Sequence, residues 1–364
     1  MTQTTYLGLD VHSRTIAIAR LYPGSNEPAM SEIANDPTVV RKAFQREKQR
    51  SGGSLRCCYE AGPCGYVLQR QLAELGIPCE VVAPSLIPRK PGERVKTDSR
   101  DAAKLARLYR AGDLTTIGVP TEEQEAGRDL VRARDDARKD RVAARHRLTK
   151  FLLRHGYRFA EGHNWTAKFW AWVKKIAFAR AGEQIAFDHY VDQVNHLDHR
   201  IDVLDTAIEQ LAQSESYRDM VGKLTCLRGI STLGAMIIIT EVYDLRRFAS
   251  ARQLMAFLGL VPSEHSSGQK QRRGGITKTG NGHVRRMLVE AAWSYRHQAI
   301  APTVRQKKAF AAQPPGVVDI ARKASHRLGK RYRHLSSRNK KWPAVTVAVA
   351  REMCGFLWAL GQVS

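Results

Sequence analysis

The chain of 364 residues is short of acids: 35 Asp and Glu stand against 59 Lys and Arg, a formal net charge of +24. It lacks any unbroken apolar run of the eighteen residues or more that mark a membrane span, so none is expected. Its opening stretch, MTQTTYLGLDVHS, lacks a basic segment followed by an apolar one, and a secretory signal is not expected either. The six cysteines (Cys57, Cys58, Cys64, Cys79, Cys226, Cys354) show no C-x-x-C pair and no His-spaced partner. That argues against structural zinc and for reduced thiols packed as small hydrophobes. With 43% hydrophobic residues the chain can bury a core, so the expectation is a folded cytoplasmic protein of two or three domains. So basic a surface asks for an anionic partner. Lys and Arg are spread along the length rather than gathered on one amphipathic helix, which favours nucleic acid over a membrane.

Residues 4–111 alternate short apolar runs with helical patterns. TYLGLDV, TIAIARL and MSEIA read as three strands, the second and third separated by the turn signal Pro23-Gly24. A helix opens near Pro37, LRCCYEA resumes as a strand, and YVLQRQLAEL, PCEVVAP and SRDAAKLARLYRAG read as helix, strand and helix. This is the order of an α/β domain with a mixed sheet, assigned to residues 1–115. Residues 121–155 contain almost no Gly or Pro and read as one long basic helix. In a second helix Val194, Leu197, Ile201, Leu204, Ile208 and Leu211 step by three and four, the seam of a coiled coil, so residues 116–218 are assigned as a helical spacer. Residues 219–364 form a mainly α-helical C-terminal domain. There Gly229 and Gly234 flank a turn between two apolar helices, like a helix-hairpin-helix or like an ordinary helical turn.

The acids of the first domain fall in a pattern. Asp10 sits inside an apolar strand, where a carboxylate costs stability unless it is exposed at an edge or paired. Glu60 ends a later strand, and Asp98 and Asp101 lie three apart at the start of a helix, on one face. If the first and fourth strands are neighbours, Asp10 and Glu60 approach side by side and the helix adds its pair. Such hard oxygen ligands suit Mg2+ or Mn2+ and the chemistry of phosphoryl transfer. Taken singly, Glu60 can simply end a strand, and Asp98 can be an N-cap with Asp101 favoured by the helix dipole.

YLGLDVHS, CCYEAGPCGY and KTDSRDAAKLA together resemble an RNase H-like domain of the Holliday-junction resolvase (RuvC-like) kind, and more closely the DEDD transposases of the insertion sequence 110 family. Farther on, LMAFLGLVPSEHSSGQKQRRGGITKTGNGHVRRMLVEAA holds a hydroxyl- and glycine-rich turn at 261–268 and then a basic, amide-rich stretch. Lys270, Arg272 and Arg273 suit a phosphate backbone, with Gly274 and Gly275 allowing its close approach. Residues 227–292 resemble the C-terminal transposase domain of the same family, on the match of GLVPSEHSSG and GITKTGN. The resemblance implies that the serine before the glycine, Ser267, is a nucleophile, with Ser266 the alternative if the register slips. It implies strand- or phosphate-contacting roles for Lys278, Asn281 and Arg285.

What the resemblance further implies is a recombinase that moves its own element. It would cut DNA through a phosphoserine link, with Mg2+ or Mn2+ on Asp10, Glu60, Asp98 and Asp101 and the serine donated by another protomer of a homodimer or homotetramer. Element ends and target DNA would be its partners, a guide RNA transcribed from the element a further one, and the nucleoid its location. Three rivals stand beside this reading. A resolvase or nuclease would use only the four acids and water. A sugar-kinase-like ATPase would need a second glycine that GLDVHSRT lacks. A non-catalytic packaging protein would give no reason for Asp10 in a strand. Trp165, Phe169, Trp170, Trp172 and Trp293 read either as bases' stacking partners or, for most of them, as core.

Overall fold

The computed structural model describes residues 4–88, 97–264, 272–297 and 301–363. The chain divides into two compact units, Met1–Pro120 and Thr121–Ser364.

The first unit is a mixed six-stranded sheet with helices. Its strands are β1 (Thr4–Val11), β2 (Thr15–Leu21), β3 (Ala29–Ala34), β4 (Ser54–Glu60), β5 (Cys79–Val82) and β6 (Thr116–Ile117), in the order β3-β2-β1-β4-β5-β6. β1 pairs antiparallel with β2 and parallel with β4, so the first and fourth strands are neighbours as the acid pattern requires. Helix α1 (Pro37–Arg50) starts on an Asp36 cap whose carboxylate accepts from the Thr38 and Val39 amides, with Pro37 at the first helical position. α2 (Val67–Glu74) and α3 (Asp98–Ala111) complete the unit, α3 closing at Gly112 with φ 77°. Leu7, Leu9, Ile16, Ile18 and Phe44 are fully buried on one side of the sheet, while Ala17, Ala19, Ala102 and Ala106 form a small-residue contact on the other. The two-residue β6 was not expected; at that length it carries no alternation to read.

The second unit is helical: α4 (Glu122–Arg154), α5 (Ala167–Val173), α6 (Ala181–Leu211), α7 (Glu215–Thr225), α8 (Thr232–Val242) and α9 (Ala251–Phe257), then a hairpin of β7 (Pro262–Glu264) and β8 (Arg273–Ile276), then α10 (Gly282–Trp293), α11 (Val304–Ala311), α12 (Pro315–Ser336) and α13 (Trp342–Gly361). α4 begins with a Thr121–Gln124 capping box and packs antiparallel on α6, as Arg134 on Asp205 and Arg145 on Asp198 show. Along α6 every second seam residue, Val194, Ile201 and Ile208, is buried, while Leu197, Leu204 and Leu211 are half-buried. The basic residues of α4 are largely consumed inside the unit: Arg132 on Glu241, Arg138 on Asp135, Lys139 on Asp136, and Arg141 and Arg145 sharing Asp198.

The aromatic segment folds as a cluster around buried Phe169, with Trp165 at 4.9 Å and Trp172 at 5.7 Å between ring centres. Trp293 packs edge-on against Trp342 at 5.0 Å. α13 is long and apolar enough, by length and composition, to cross a bilayer. Here it is a core helix, with Val349, Met353, Cys354, Leu357 and Leu360 fully buried within the unit. α9 ends at Phe257, just before Gly259 at a left-handed φ of 62°. Pro262–Glu264 of the expected 261–268 turn is strand, paired to Arg273–Ile276.

Candidate active site

The strand period of two sets which β1 residues face α3. Gly8 lies there so close under the helix that a Cβ would run into the Ala102 carbonyl oxygen and the Ala106 amide. Asp10, two residues on, shares that face and lies near the N-terminal end of α3. On β4 the Cys58 thiol reaches the Leu105 carbonyl of α3 at 3.8 Å, and Glu60 lies two residues on from Cys58. The pairing Leu9–Tyr59 places Asp10 and Glu60 one step further along adjacent parallel strands. Thr97, not Asp98, caps α3, its hydroxyl accepting from the Arg100 amide at 3.4 Å. Capping therefore does not account for Asp98, which stands at the first helical position.

A second kind of group, an imidazole, joins these acids. His12 follows β1 directly, its backbone pinned by its own amide on the Thr15 carbonyl at 2.9 Å and by Asn35 Nδ2 on its carbonyl at 2.7 Å. Its Nε2 lies 3.4 Å from Asp10 Oδ2 and 3.5 Å from Asp98 Oδ1. One ligand atom each from Asp10, His12 and Asp98 lies within 4.8 Å of the others, a group that does not include Glu60 or Asp101. Opposite ligands around a small divalent ion with bonds of about 2.1 Å stand roughly 4 Å apart, so two carboxylates and an imidazole at this spacing fit such an ion. Burial pushes the Asp10 carboxyl above its ordinary range; His12 pulls it down, and the charges of Asp98 and Asp101 push it up again. Crowded negative charge of this kind is what a cation relieves. Sequence reading passed over His12, which lies just past the end of β1 and carries no strand-face signal of its own.

In the second unit, Ser266, Ser267 and Lys270 lie outside the described residues, as does the side chain of Arg273. What is described is the frame that carries them. The segment after β8 is strapped to the end of α9: the Thr277 amide donates to the Val261 carbonyl at 2.9 Å, Lys278 to Gly259 at 3.1 Å and Asn281 to Phe257 at 3.0 Å. Asn281 caps α10 by accepting from the Val284 amide at 3.0 Å, and its Nδ2 donates to Glu241 Oε2 at 2.7 Å. Arg285 donates to the Leu258 carbonyl at 2.9 Å. These two side chains are thus engaged in holding the strap, whereas Arg272 and Lys278 are exposed, Lys278 at a left-handed φ of 58°. Burial alone would raise the Glu241 carboxyl, but hydrogen bonds from Arg132 and Asn281 hold it below the ordinary carboxylate range.

Comparison with known proteins bears on both units. Residues 7–156 match a family model described as a transposase of the DEDD type, and residues 222–308 match one described as the transposase IS116/IS110/IS902 family. The chain is 41% identical to a putative transposase, y4qE, of Sinorhizobium fredii over 98% of its own length and 88% of the relative's. It is 36% identical to the transposase for insertion sequence element IS1533 of Leptospira borgpetersenii, over 94% and 99% of the two chains. It is 27% identical to the transposase for insertion sequence element IS1111A of Coxiella burnetii, over 61% of each.

Proposed function

The chain belongs to the IS110 family of insertion-sequence transposases, and from that footing we propose that it cuts and exchanges DNA strands through a covalent serine–phosphate link. The observation that carries this reading is the gathering of Asp10, His12 and Asp98 at one end of the sheet, in a chain whose other unit pairs Pro262–Glu264 with Arg273–Ile276, the two strands that flank Ser267 in sequence. The first unit is then an RNase H-like domain, with Asp10, His12 and Asp98 as the gathered holders of Mg2+ or Mn2+ and with Glu60 and Asp101 completing the set when an ion binds. Such an ion, when bound, supplies positive charge to the scissile phosphate and its attacking and leaving oxygens.

Ser267 Oγ attacks the phosphorus of a DNA phosphodiester. A bond from Oγ to phosphorus forms, the bond from phosphorus to one deoxyribose oxygen breaks, and that oxygen leaves as a hydroxyl carrying a proton while the serine loses one. The diester count is unchanged, so a hydroxyl from a second strand can reverse the step and complete an exchange through a four-way junction. Lys270, Arg272, Arg273 and Lys278 hold the backbone beside the serine. Asn281 and Arg285 set the base of the hairpin. The serine is donated to the acids of a sister protomer in a homodimer or homotetramer, and a guide RNA from the element pairs with donor and target.

Covalent trapping tests this. The full chain is incubated with element-end DNA, flanking-sequence RNA and Mg2+, then digested and searched for a DNA-linked serine peptide. The expected adduct is on Ser267 and vanishes in Ser267→Ala along with cleavage. Cleavage that survives Ser267→Ala with no adduct in the unaltered chain gives the reaction to the acids and water. A chain indifferent to Asp10→Asn is a packaging protein.

A further inference from the structure

Helix α12 carries two stripes. Val317, Ala321, Ala324, Leu328 and Tyr332 are its buried face in the core of the second unit. A second stripe, Arg322, His326, Gly329 and Arg333, steps by four, three and four and lines a cavity of about 280 Å³. Arg228, from the turn between α7 and α8, and His297, just after α10, close it from the other side. No carboxylate stands among the described residues of its wall.

That lack is local, because the neighbouring arginines of the same helix are neutralised. Arg327 and Arg331 both place Nε 3.1 Å from an oxygen of Glu352. Arg228, Arg322 and Arg333 have no ion pair among the described residues; Arg228 reaches the His297 carbonyl at 3.4 Å and lies near the Tyr295 hydroxyl, and Arg322 lies over the Phe310 ring at 6.0 Å. Cations turned towards one cavity repel one another unless an anion sits between them. Guanidinium forks match the paired oxygens of a phosphate.

Gly329 is the second observation. Glycine weakens a helix interior relative to alanine, so a mid-helix glycine wants a reason. Packing gives none, for a Cβ at Gly329 would meet no atom within 4 Å. What the missing side chain provides is room on the cavity side. The volume lies at the small end of ligand pockets, which run from roughly 300 Å³ upward, and suits one phosphate with its sugar rather than a duplex.

We propose that this cavity is a second nucleic-acid site, taking one backbone phosphodiester between Arg228, Arg322 and Arg333, and sharing no residue with the serine hairpin. The inference rests on the transposase reading only for the identity of its ligand as nucleic acid. A phosphodiester of DNA and one of RNA have the same chemistry here, and the arms of the test separate them.

The full chain is titrated onto fluorescent element-end duplex DNA, and separately onto RNA of the flanking sequence, across a series of NaCl concentrations. Arg322→Ala with Arg333→Ala is expected to weaken binding several-fold, uniformly across sequences, and to reduce the slope of log affinity against log salt by about 1 for the phosphate lost. Gly329→Leu, which fills the cavity without changing charge, is expected to do the same. Arg327→Ala, whose guanidinium is paired with Glu352, leaves the slope unchanged. Loss on the duplex alone assigns DNA, and loss on the RNA alone assigns the guide strand. Unchanged affinity and slope for the double arginine variant on both probes overturns the proposal. If Gly329→Leu fails to fold by circular dichroism, the arginine pair decides. Adduct formation on Ser267 in the same preparations reports the serine chemistry independently, so either reading can fail alone.

Discussion

Arg132 meets Glu241 as a fork, Nε on Oε1 at 2.7 Å and Nη2 on Oε2 at 2.9 Å. The pair joins α4 to α8. Asn281, on the same carboxylate, extends it to the cap of α10 and so to the strap that ties the segment after β8 to the end of α9. The Glu241 side chain is only 2% exposed, but Arg132 is 42% exposed and can rehydrate if its partner is lost. Glu241→Gln should therefore cost about 2 kcal/mol, less than the 3–5 typical of a fully buried pair. Because the folded-state pKa is depressed, the stabilisation is fully present above the ordinary carboxylate pKa and disappears as pH falls through the folded value. Thermal melting from pH 7 down to pH 3 checks this. The gap in melting temperature between the native chain and Glu241→Gln should be constant near neutrality and close below about pH 4. A gap that persists to the acid end would mean the carboxylate charge is not what holds the three helices.

Gly8→Ala should separate the acids without touching any of them. The new methyl would strike the Ala102 carbonyl and Ala106 amide, so α3 must lift from β1, carrying Asp98 and Asp101 away from Asp10. We expect a loss of about 1–3 kcal/mol from overpacking, and with it at least tenfold weaker Mn2+ binding. Calorimetry of Mn2+ on the two proteins reads the second effect. Destabilisation with undiminished Mn2+ affinity would show that the helix-to-strand distance does not set the metal group.

Much of the first unit was legible because strand alternation, the Pro37 helix start and the Gly112 helix stop are local signals, and the structure follows them. Asp10 could be read as misplaced from its own neighbours alone. His12 could not, since a histidine after a strand is unremarkable until the fold brings Asp98 of α3 to 3.5 Å from it. The same holds for Asn281 and Arg285. In sequence they are polar residues in a basic motif; only the return of the chain past Phe257 and Leu258 shows that their polar atoms are engaged within the fold. The cavity under α12 was hidden for a related reason. In sequence Arg322, Arg327, Arg331 and Arg333 look alike, and only Glu352 on α13 distinguishes arginines that are paired from those that are not.

His12→Ala tests whether the imidazole is a ligand or a bystander. Its Nε2 lies close enough to both carboxylates to share an ion with them. Removing it should weaken Mn2+ binding by about tenfold, and should abolish any nitrogen coupling in the pulsed electron paramagnetic resonance spectrum of the Mn2+ complex. His12→Gln, which keeps a polar group of similar reach, should not restore the nitrogen coupling. An unaltered spectrum in both variants would remove His12 from the group and leave the carboxylates alone.

Asp10→Asn should make the metal-free protein more stable and the metal-loaded one less so. Burial raises the Asp10 carboxyl above its ordinary range, with Asp98 and Asp101 adding to the rise against His12. A raised carboxyl pKa means that the folded state holds its proton longer than the unfolded chain. Stability then falls as pH rises through that window, and at pH 7 the ionised group is a net cost to the fold. The amide keeps the shape and removes the charge. In a chelator at pH 7 the variant should melt a few degrees higher than the native chain. Saturating Mn2+ should reverse the order, because an ion at a hundred times its dissociation constant stabilises the native fold by about 2.7 kcal/mol and the variant has given up a ligand. The crossing of the two melting curves between chelator and Mn2+ is the outcome to look for. If the variant melted lower under both conditions, Asp10 would be a structural residue, and the case for a cation among Asp10, His12 and Asp98 would fail with it.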